Sequence, residues 1–251
     1  MAALSEIVEY ANEYLGIDGC NDWPNALNGL QVENSGRVRK IAAAVDASTY
    51  TFRAAGDAGA DLIVVHHGLF WSGLQPVTGG FRRQLALLFE RDIALYSAHL
   101  PLDVHPVAGN NAQLAAALGL TETQPFLEMK SELVGLRATT QIFPNELARR
   151  LEESLGGPVK LFASGPATTS SIGIITGAAG SEIHAVARAG IDTFVTGEAP
   201  HWAAIAAQEL GMNLLLAGHY ATETLGVKAL AAHLAERFDL PWEFLDAPTG
   251  L

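Results

Sequence analysis

Two segments of this 251-residue chain recur at one fixed offset. Ile41-Ala-Ala-Ala-Val45 aligns with Ile172-Gly-Ile-Ile-Thr176, and Ala58-Gly-Ala-Asp61 aligns with Ala189-Gly-Ile-Asp192, both displaced by 131 positions without a gap. Each copy reads as a buried apolar strand, a helix, and a second strand introduced by Ala-Gly-x-Asp. The equal offset predicts two related β-α-β halves. The rival is chance likeness, because Ala-Gly-x-Asp ahead of a strand is common.

The second strand of the first copy, Asp61-Leu-Ile-Val-Val-His-His-Gly68, ends by releasing two adjacent histidines. Its apolar run suits a strand buried on both faces, and the carboxyl ends of such strands are where open α/β sheets place their chemistry. Adjacent imidazoles supply neutral nitrogen ligands for first-row metals; the plainer reading is two polar residues closing a strand. By the repeat register, His66 and His67 fall opposite Gly197 and Glu198, so the second copy ends on a carboxylate.

The rest of the chain supplies alternating elements. Leu4, Ile7, Val8, Ala11 and Leu15 mark an amphipathic helix closed by Gly16. A loop with Asp22, Trp23, Pro24 and Asn25 leads to an edge strand at residues 28–33, and Ser48 or Thr49 is a candidate cap for the helix running to about Ala58. A glycine- and aromatic-rich loop, 68–80, precedes a helix at 81–90 and a short strand at 93–97 that releases His99 and Asp103. Residues 110–118 are helical. The mixed segment 121–128, with Pro125, is read as a junction, giving a first α/β domain at 1–125 and a second at 126–251. Strands are expected at 132–140, 158–163 and 213–216. Helices are expected after Pro144, over 200–210 and from His219 to before Pro241, the last packing on either half.

Size and charge bound the function. A chain of this length holds one large α/β domain or two smaller ones, and 49% hydrophobic residues rule out a disordered chain. With 27 acidic against 15 basic residues, the formal charge is -12. Such a surface repels nucleic-acid backbones and makes direct DNA or RNA binding an unfavoured reading, while it attracts divalent cations. The single Cys20 excludes intramolecular disulfides and cysteine-rich metal sites. No secretory signal or membrane-spanning run is apparent, so a cytoplasmic protein with no membrane partner is expected.

His219 and Glu223, four apart at the start of the last helix, rise from one face and can share a metal; a surface hydrogen bond is the alternative. With His66, His67 and Asp103 they make three imidazoles and two carboxylates. That set suits two divalent ions of the zinc, manganese, iron, cobalt or nickel kind. Among the remaining polar residues, His99 reads equally as a group orienting a ligand or as a structural histidine. Glu198 and His201 are candidates for proton transfer; the rival for Glu198 is that it only holds His201, and for His201 a helix-terminal structural role. His105, His184 and His233 read as structural. Trp23, Phe70, Trp71 and Trp202 either line a substrate site or pack the core.

His66-His-Gly68, His99-Leu-Pro-Leu-Asp103 followed by Gly109-Asn110-Asn111, Gly197-Glu198 and Gly218-His-Tyr-Ala-Thr-Glu223 together resemble the NIF3-like family, whose members are often labelled GTP cyclohydrolase 1 type 2 homologs. The resemblance spans essentially the whole chain. It implies an α/β fold of two related α/β/α halves with mixed sheets, a dinuclear metal centre in the cleft between them, and a toroidal homohexamer. It further implies His66, His67, Asp103, His219 and Glu223 as the metal ligands, and the compact form without an inserted domain. Where the family usually reads His-His-Pro, this chain has His-His-Gly, which implies a more mobile following loop. The expected activity is dinuclear metal-dependent hydrolysis of a nucleotide or related small molecule, GTP-cyclohydrolase-like by label. The alternative is a metal-binding chaperone or regulatory scaffold with little catalysis.

Overall fold

The computed structural model describes residues 1–251, which divide into two compact units: Met1–Leu102 with Gly226–Ala247, and Asp103–Leu225 with Pro248–Leu251. In chain order the first stretch comprises β1 (Ala2–Ala3), α1 (Leu4–Leu15), β2 (Gly29–Val32), β3 (Arg37–Val38), β4 (Ile41–Asp46), α2 (Thr49–Asp57), β5 (Leu62–His67), α3 (Gly79–Arg91), β6 (Ala94–Ser97) and the short α4 (Leu100–Asp103). The second comprises α5 (Asn110–Ala117), β7 (Thr123–Met129), β8 (Glu132–Ile142), α6 (Pro144–Leu155), β9 (Lys160–Ala163), β10 (Thr169–Ile174), α7 (Ile183–Arg188), β11 (Thr193–Thr196), α8 (His201–Leu210) and β12 (Asn213–Leu216). The 20-residue α9 (His219–Phe238) and then β13 (Trp242–Phe244) finish the chain.

The sheet of the first unit runs β13-β4-β5-β6-β2, parallel except for β2, which is antiparallel to β6 at the edge. Central β4 and β5 are buried along almost their whole length, as an apolar run covered on both faces requires. Ala42, Ala44, Phe52, Ala55, Ile63, Val65, Leu88 and Leu95 form a core between sheet and helices. Full burial of Phe52 alone contributes about 1.5–3 kcal/mol. Ser48 caps α2 through a capping box in which its hydroxyl accepts the Thr51 N–H and the Thr51 hydroxyl accepts the Ser48 N–H.

The second unit carries a six-stranded mixed sheet, β7-β8-β10-β11-β12-β9, whose β10, β11 and β12 are parallel and whose flanking strands are antiparallel. Its core joins Leu114 of α5 and Leu118 just after it, Leu147 and Leu151 of α6, and Ile172, Ile174, Val195 and Leu215 of the sheet. The repeat is visible in the strand register. Ile41 pairs with Leu62 in β4·β5, and Ile172 with Thr193 in β10·β11, the same pairing moved by 131 positions.

The junction expected near residue 125 is a strand instead. Residues 123–129 form β7, and Pro125 sits there opposite Leu136 because an edge strand tolerates a missing backbone donor. The units part at Leu102/Asp103, since α5 belongs to the second core. The last part of α9 groups with the first unit, where β13 lies parallel to β4. No helix is long and apolar enough to cross a membrane.

Candidate metal centre

In the first unit, β4, β5 and β6 end at one edge of the sheet and deliver Asp46, His66, His67 and, two residues past β6, His99. The three imidazoles cluster, with ring centroids 4.7 Å apart for His66 and His67, 4.9 Å for His66 and His99, and 5.8 Å for His67 and His99. One ring nitrogen from each lies within 4.8 Å of the other two.

Each ring is held from behind through Nδ1. Nδ1 of the fully buried His66 lies 2.9 Å from the carbonyl of Ala98, Nδ1 of His67 lies 2.9 Å from Asp46 Oδ1, and Nδ1 of His99 lies 3.0 Å from Asp22 Oδ1. All three oxygens accept, so Nδ1 carries the hydrogen, and in a neutral ring the lone pair resides on Nε2. This is the outer arrangement that metal-binding histidines use. Asp22 is itself fixed, accepting from Asn28 Nδ2 at 2.8 Å and the Leu100 N–H at 2.9 Å. Burial works to raise its carboxyl, but the hydrogen bond and charge of His99, with those donors, outweigh it and hold the pKa below the ordinary 3.8.

Aromatic rings wall this cluster. Trp71 stands edge-on to His99 at 4.6 Å and to His67 at 5.8 Å, and Trp23 approaches His99 at 5.8 Å. Phe70 instead packs on Phe81 beside the core. The loop after the histidine pair is anchored at its start. Gln31 accepts the Leu69 N–H at 2.8 Å and donates to the carbonyls of Ala26 and Leu27, and a side chain at Gly68 would fall directly on its amide. Glycine at this position makes room for that anchor.

In the second unit, Gly218, with φ of 90°, turns the chain into α9, whose first residue is His219. Its Nε2 lies 3.1 Å from Glu223 Oε2, one turn on, and its Nδ1 lies 3.2 Å from Glu198 Oε1. Burial works to lower the imidazole pKa, but the hydrogen bonds and charges of Glu223, then Glu198, overcome it and push it up to about 9. Gly177 occupies the repeat position of Asp46, and a Cβ there would collide with the Glu223 carboxylate. A Cβ on Gly197 would stand 2.7 Å from the Gly177 carbonyl oxygen and 2.7 Å from the His219 Cα. Two glycines thus make room for one imidazole and one buried carboxylate.

Asp103 Oδ1 accepts from Asn110 Nδ2 at 2.8 Å and from the Thr176 hydroxyl at 3.4 Å, while Asn111 donates to the Asp103 carbonyl at 3.2 Å. The buried Asn110-Asn111 pair at the start of α5 therefore sets both ends of that residue. Glu198 bonds His219, while His201 stands exposed at the first turn of α8. His105 accepts N–H groups of its own turn, His184 stacks on the exposed Trp202, and His233 takes a hydrogen bond with the Tyr10 hydroxyl at 2.8 Å. Sequence reading gave neither Asp22 nor Asp46 a role. For Asp46 a signal existed, because the parallel register sets it opposite His67.

The donor chemistry fits divalent metal. Nitrogen donors with fixed tautomers lie in the first unit, and an imidazole between two carboxylates lies in the second. This mixture suits the borderline ions of the zinc and nickel kind better than calcium or magnesium.

Comparison with known proteins agrees. The family model described as Duf34/NIF3 (NGG1p interacting factor 3) matches residues 2–249. The chain is 40% identical to a GTP cyclohydrolase 1 type 2 homolog of Deinococcus radiodurans, over 98% of this chain and 94% of the relative. It is also 40% identical to the protein of that name from Escherichia coli K12, over 97% and 98%. The crystal structure of TTHA1606 from Thermus thermophilus superposes with a TM-score of 0.91 at 41% identity, covering 100% of both chains. Matched along nearly its full length by the family model and by these relatives, the chain belongs to the DUF34/NIF3 family.

Proposed function

We propose that the protein is a dinuclear divalent-metal-dependent hydrolase acting on a nucleotide or related small molecule, with His66, His67, Asp103, His219 and Glu223 as its metal ligands. The observation that carries this reading is the anchoring of His66 and His67 through Nδ1, which presents Nε2 as the donor atom. Metal ions held there would supply Lewis acidity toward a carbonyl, amidine or phosphoryl oxygen and toward a water nucleophile.

The protein's own groups set the remaining chemistry. Asp46 and the Ala98 carbonyl keep the two imidazoles in the binding tautomer. Glu198 Oε1 receives the Nδ1 hydrogen of His219 and is the group positioned to accept a proton there, which favours it over the exposed His201. Trp71 and Trp23 offer apolar surface beside His99 for a planar base and limit water access. A nucleotide substrate is supported by the names of the relatives. The chain has no Gly-x-x-x-x-Gly-Lys-Ser/Thr loop, so phosphate recognition falls to the metal centre.

The test is metal content of protein purified without an affinity tag, followed by a screen of nucleotides and phosphoesters. Slowly exchanging transition metal that is lost in His66→Ala and Glu223→Ala, together with turnover lost in both, is expected. Bound metal without turnover would move the assignment to a metal-carrying scaffold, and unchanged binding in both variants would remove the site.

A further inference from the structure

The second unit holds a cavity of about 440 Å³ over β7, β8 and β10, a volume within the range of small-molecule sites. Gln124 pairs with Arg137 and Thr139 with Ser171 in neighbouring strands, so the period of two sets all four on one face of the sheet. Further along that face Phe126 fills the space, and a Cβ on Gly173 would stand 2.8 Å from its ring. Helix α7 ends after six residues at Arg188, and the turn at Ala189 and Gly190 makes the facing wall. The cavity lies where β10 and β11 begin, whereas Gly177, Gly197 and His219 follow the ends of β10, β11 and β12. It is separate from the candidate metal centre.

The lining is polar and little of it is engaged. The Arg137 side chain has one hydrogen bond, from Nη2 to Gln124 Oε1 at 3.3 Å. Glu122 lines the same cavity, yet no ion pair joins it to Arg137, and the hydroxyls of Thr139 and Ser171 bond nothing in the chain. Opposite charges are thus held apart across one space. Ala138 and Ala189 supply its only apolar side chains.

We propose that this cavity binds a small zwitterion of the α-amino-acid class, with its carboxylate on Arg137 and the Thr139 and Ser171 hydroxyls and its ammonium group on Glu122. A guanidinium fork matches a carboxylate in bidentate geometry, and the bond to Gln124 holds the fork while leaving its other N–H groups to donate. A ligand with only one charge would leave either Arg137 or Glu122 unmatched. The alanine-only apolar lining favours amino acids with polar side chains over aliphatic ones. Arg137, Glu122 and Thr139 are exposed, so binding is weak and exchange is fast.

The test follows the arginine Nε–H resonances of the full 15N-labelled chain, with Arg137 assigned by its loss in Arg137→Gln. The probes are L-glutamine, L-serine, N-acetyl-L-glutamine, which lacks the ammonium charge, and L-glutaminamide, which lacks the carboxylate. Saturable movement of the Arg137 resonance is expected with L-glutamine and L-serine. Affinity for L-glutamine should fall at least about 10-fold in Glu122→Gln, and the two blocked forms should bind wild type more weakly by a similar factor. No saturable movement with either free amino acid overturns the proposal. Binding of N-acetyl-L-glutamine as tight as that of L-glutamine, or an unchanged affinity in Glu122→Gln, also overturns it, because the site would then hold an anion alone. Glu122 is exposed, so that variant keeps the test open should Arg137→Gln fail to fold, in which case the remaining arginine resonances are assigned through the backbone. Metal content of the same samples is expected to be unchanged, and the metal-centre reading stands or falls separately.

Discussion

Asp61 and Asp192, 131 positions apart, make the same contact: Oδ2 of each accepts two consecutive backbone N–H groups at the head of the preceding strand. For Asp61 these belong to Arg39 and Lys40, at 2.7 and 3.2 Å; for Asp192 they belong to Ser170 and Ser171, at 2.9 and 3.0 Å. The four donors are related by the same offset as the strands, so the duplicated feature is a carboxylate clamp that sets where each parallel pair begins. Removing it from Asp61 leaves two donors at the edge of the core. Asp61→Ala is expected to cost about 1–3 kcal/mol in urea unfolding.

The same clamp gives a pH dependence. Burial works to raise the Asp61 pKa, but the hydrogen bonds from the Arg39 side chain and backbone, with its charge and the Lys40 N–H, hold it below the ordinary 3.8. A carboxyl depressed in the folded state contributes its stability above the unfolded value and loses it as pH falls through the folded value. The stability gap between wild type and Asp61→Asn should therefore be full near neutrality and shrink below pH 3.8. A gap that widens on acidification would contradict the clamp.

Gly68 and Gln31 form a coupled pair. Gly68→Ala would expel the Gln31 amide and forfeit its bonds to Leu69, Ala26 and Leu27. Each single change, Gly68→Ala or Gln31→Ala, is expected to cost about 1–3 kcal/mol, and the double variant little more than either. A double-mutant cycle checks this, and simple additivity would mean the two residues act separately.

Gly177 and Gly197 differ in what they exclude. A methyl at Gly177 meets the movable Glu223 carboxylate, whereas one at Gly197 meets the backbone of Gly177 and His219. Gly197→Ala should lower the melting temperature more than Gly177→Ala apart from the strain at φ of 68° in the latter. Gly177→Ala should instead lower zinc affinity out of proportion to its loss of stability. Thermal melts paired with zinc titration separate the two.

Asp46 is partly exposed and bonds Nδ1 of His67. Asp46→Ala is expected to change stability by under about 1 kcal/mol and to weaken metal binding about 10–100-fold. Equal metal affinity in this variant would mean the His67 tautomer is set by another group.

The parts of the fold that sequence displays are those where one interaction dominates. Ile41–Val45 and Leu62–Val65 are buried on both faces, so an unbroken apolar run marks them, and their repetition at 172–176 and 193–196 exposes the duplication. By contrast, β7 reads as a junction because Pro125 and its charged neighbours are tolerated only through an edge position. His219 and Glu223 are recognisable from helical spacing, since one turn brings them together. Asp22 reaches His99 across 77 positions through a loop, a contact that no periodicity encodes. Asp46 lies between these cases, because strand register reveals it once the pairing of β4 with β5 is known.

The strand β13 has a consequence for how the chain is made. All six strands of the second unit lie between residues 123 and 216, so its sheet can be completed while the last helix is still being synthesised. The first unit emerges from the ribosome earlier but keeps the outer edge of β4 open until residues 242–244 arrive to pair with it. An open edge beside a long-exposed apolar core invites pairing with other nascent chains. For this protein the half translated first is the half finished last, and emergence of residues 242–244, not of the histidine pair, is the event that closes it.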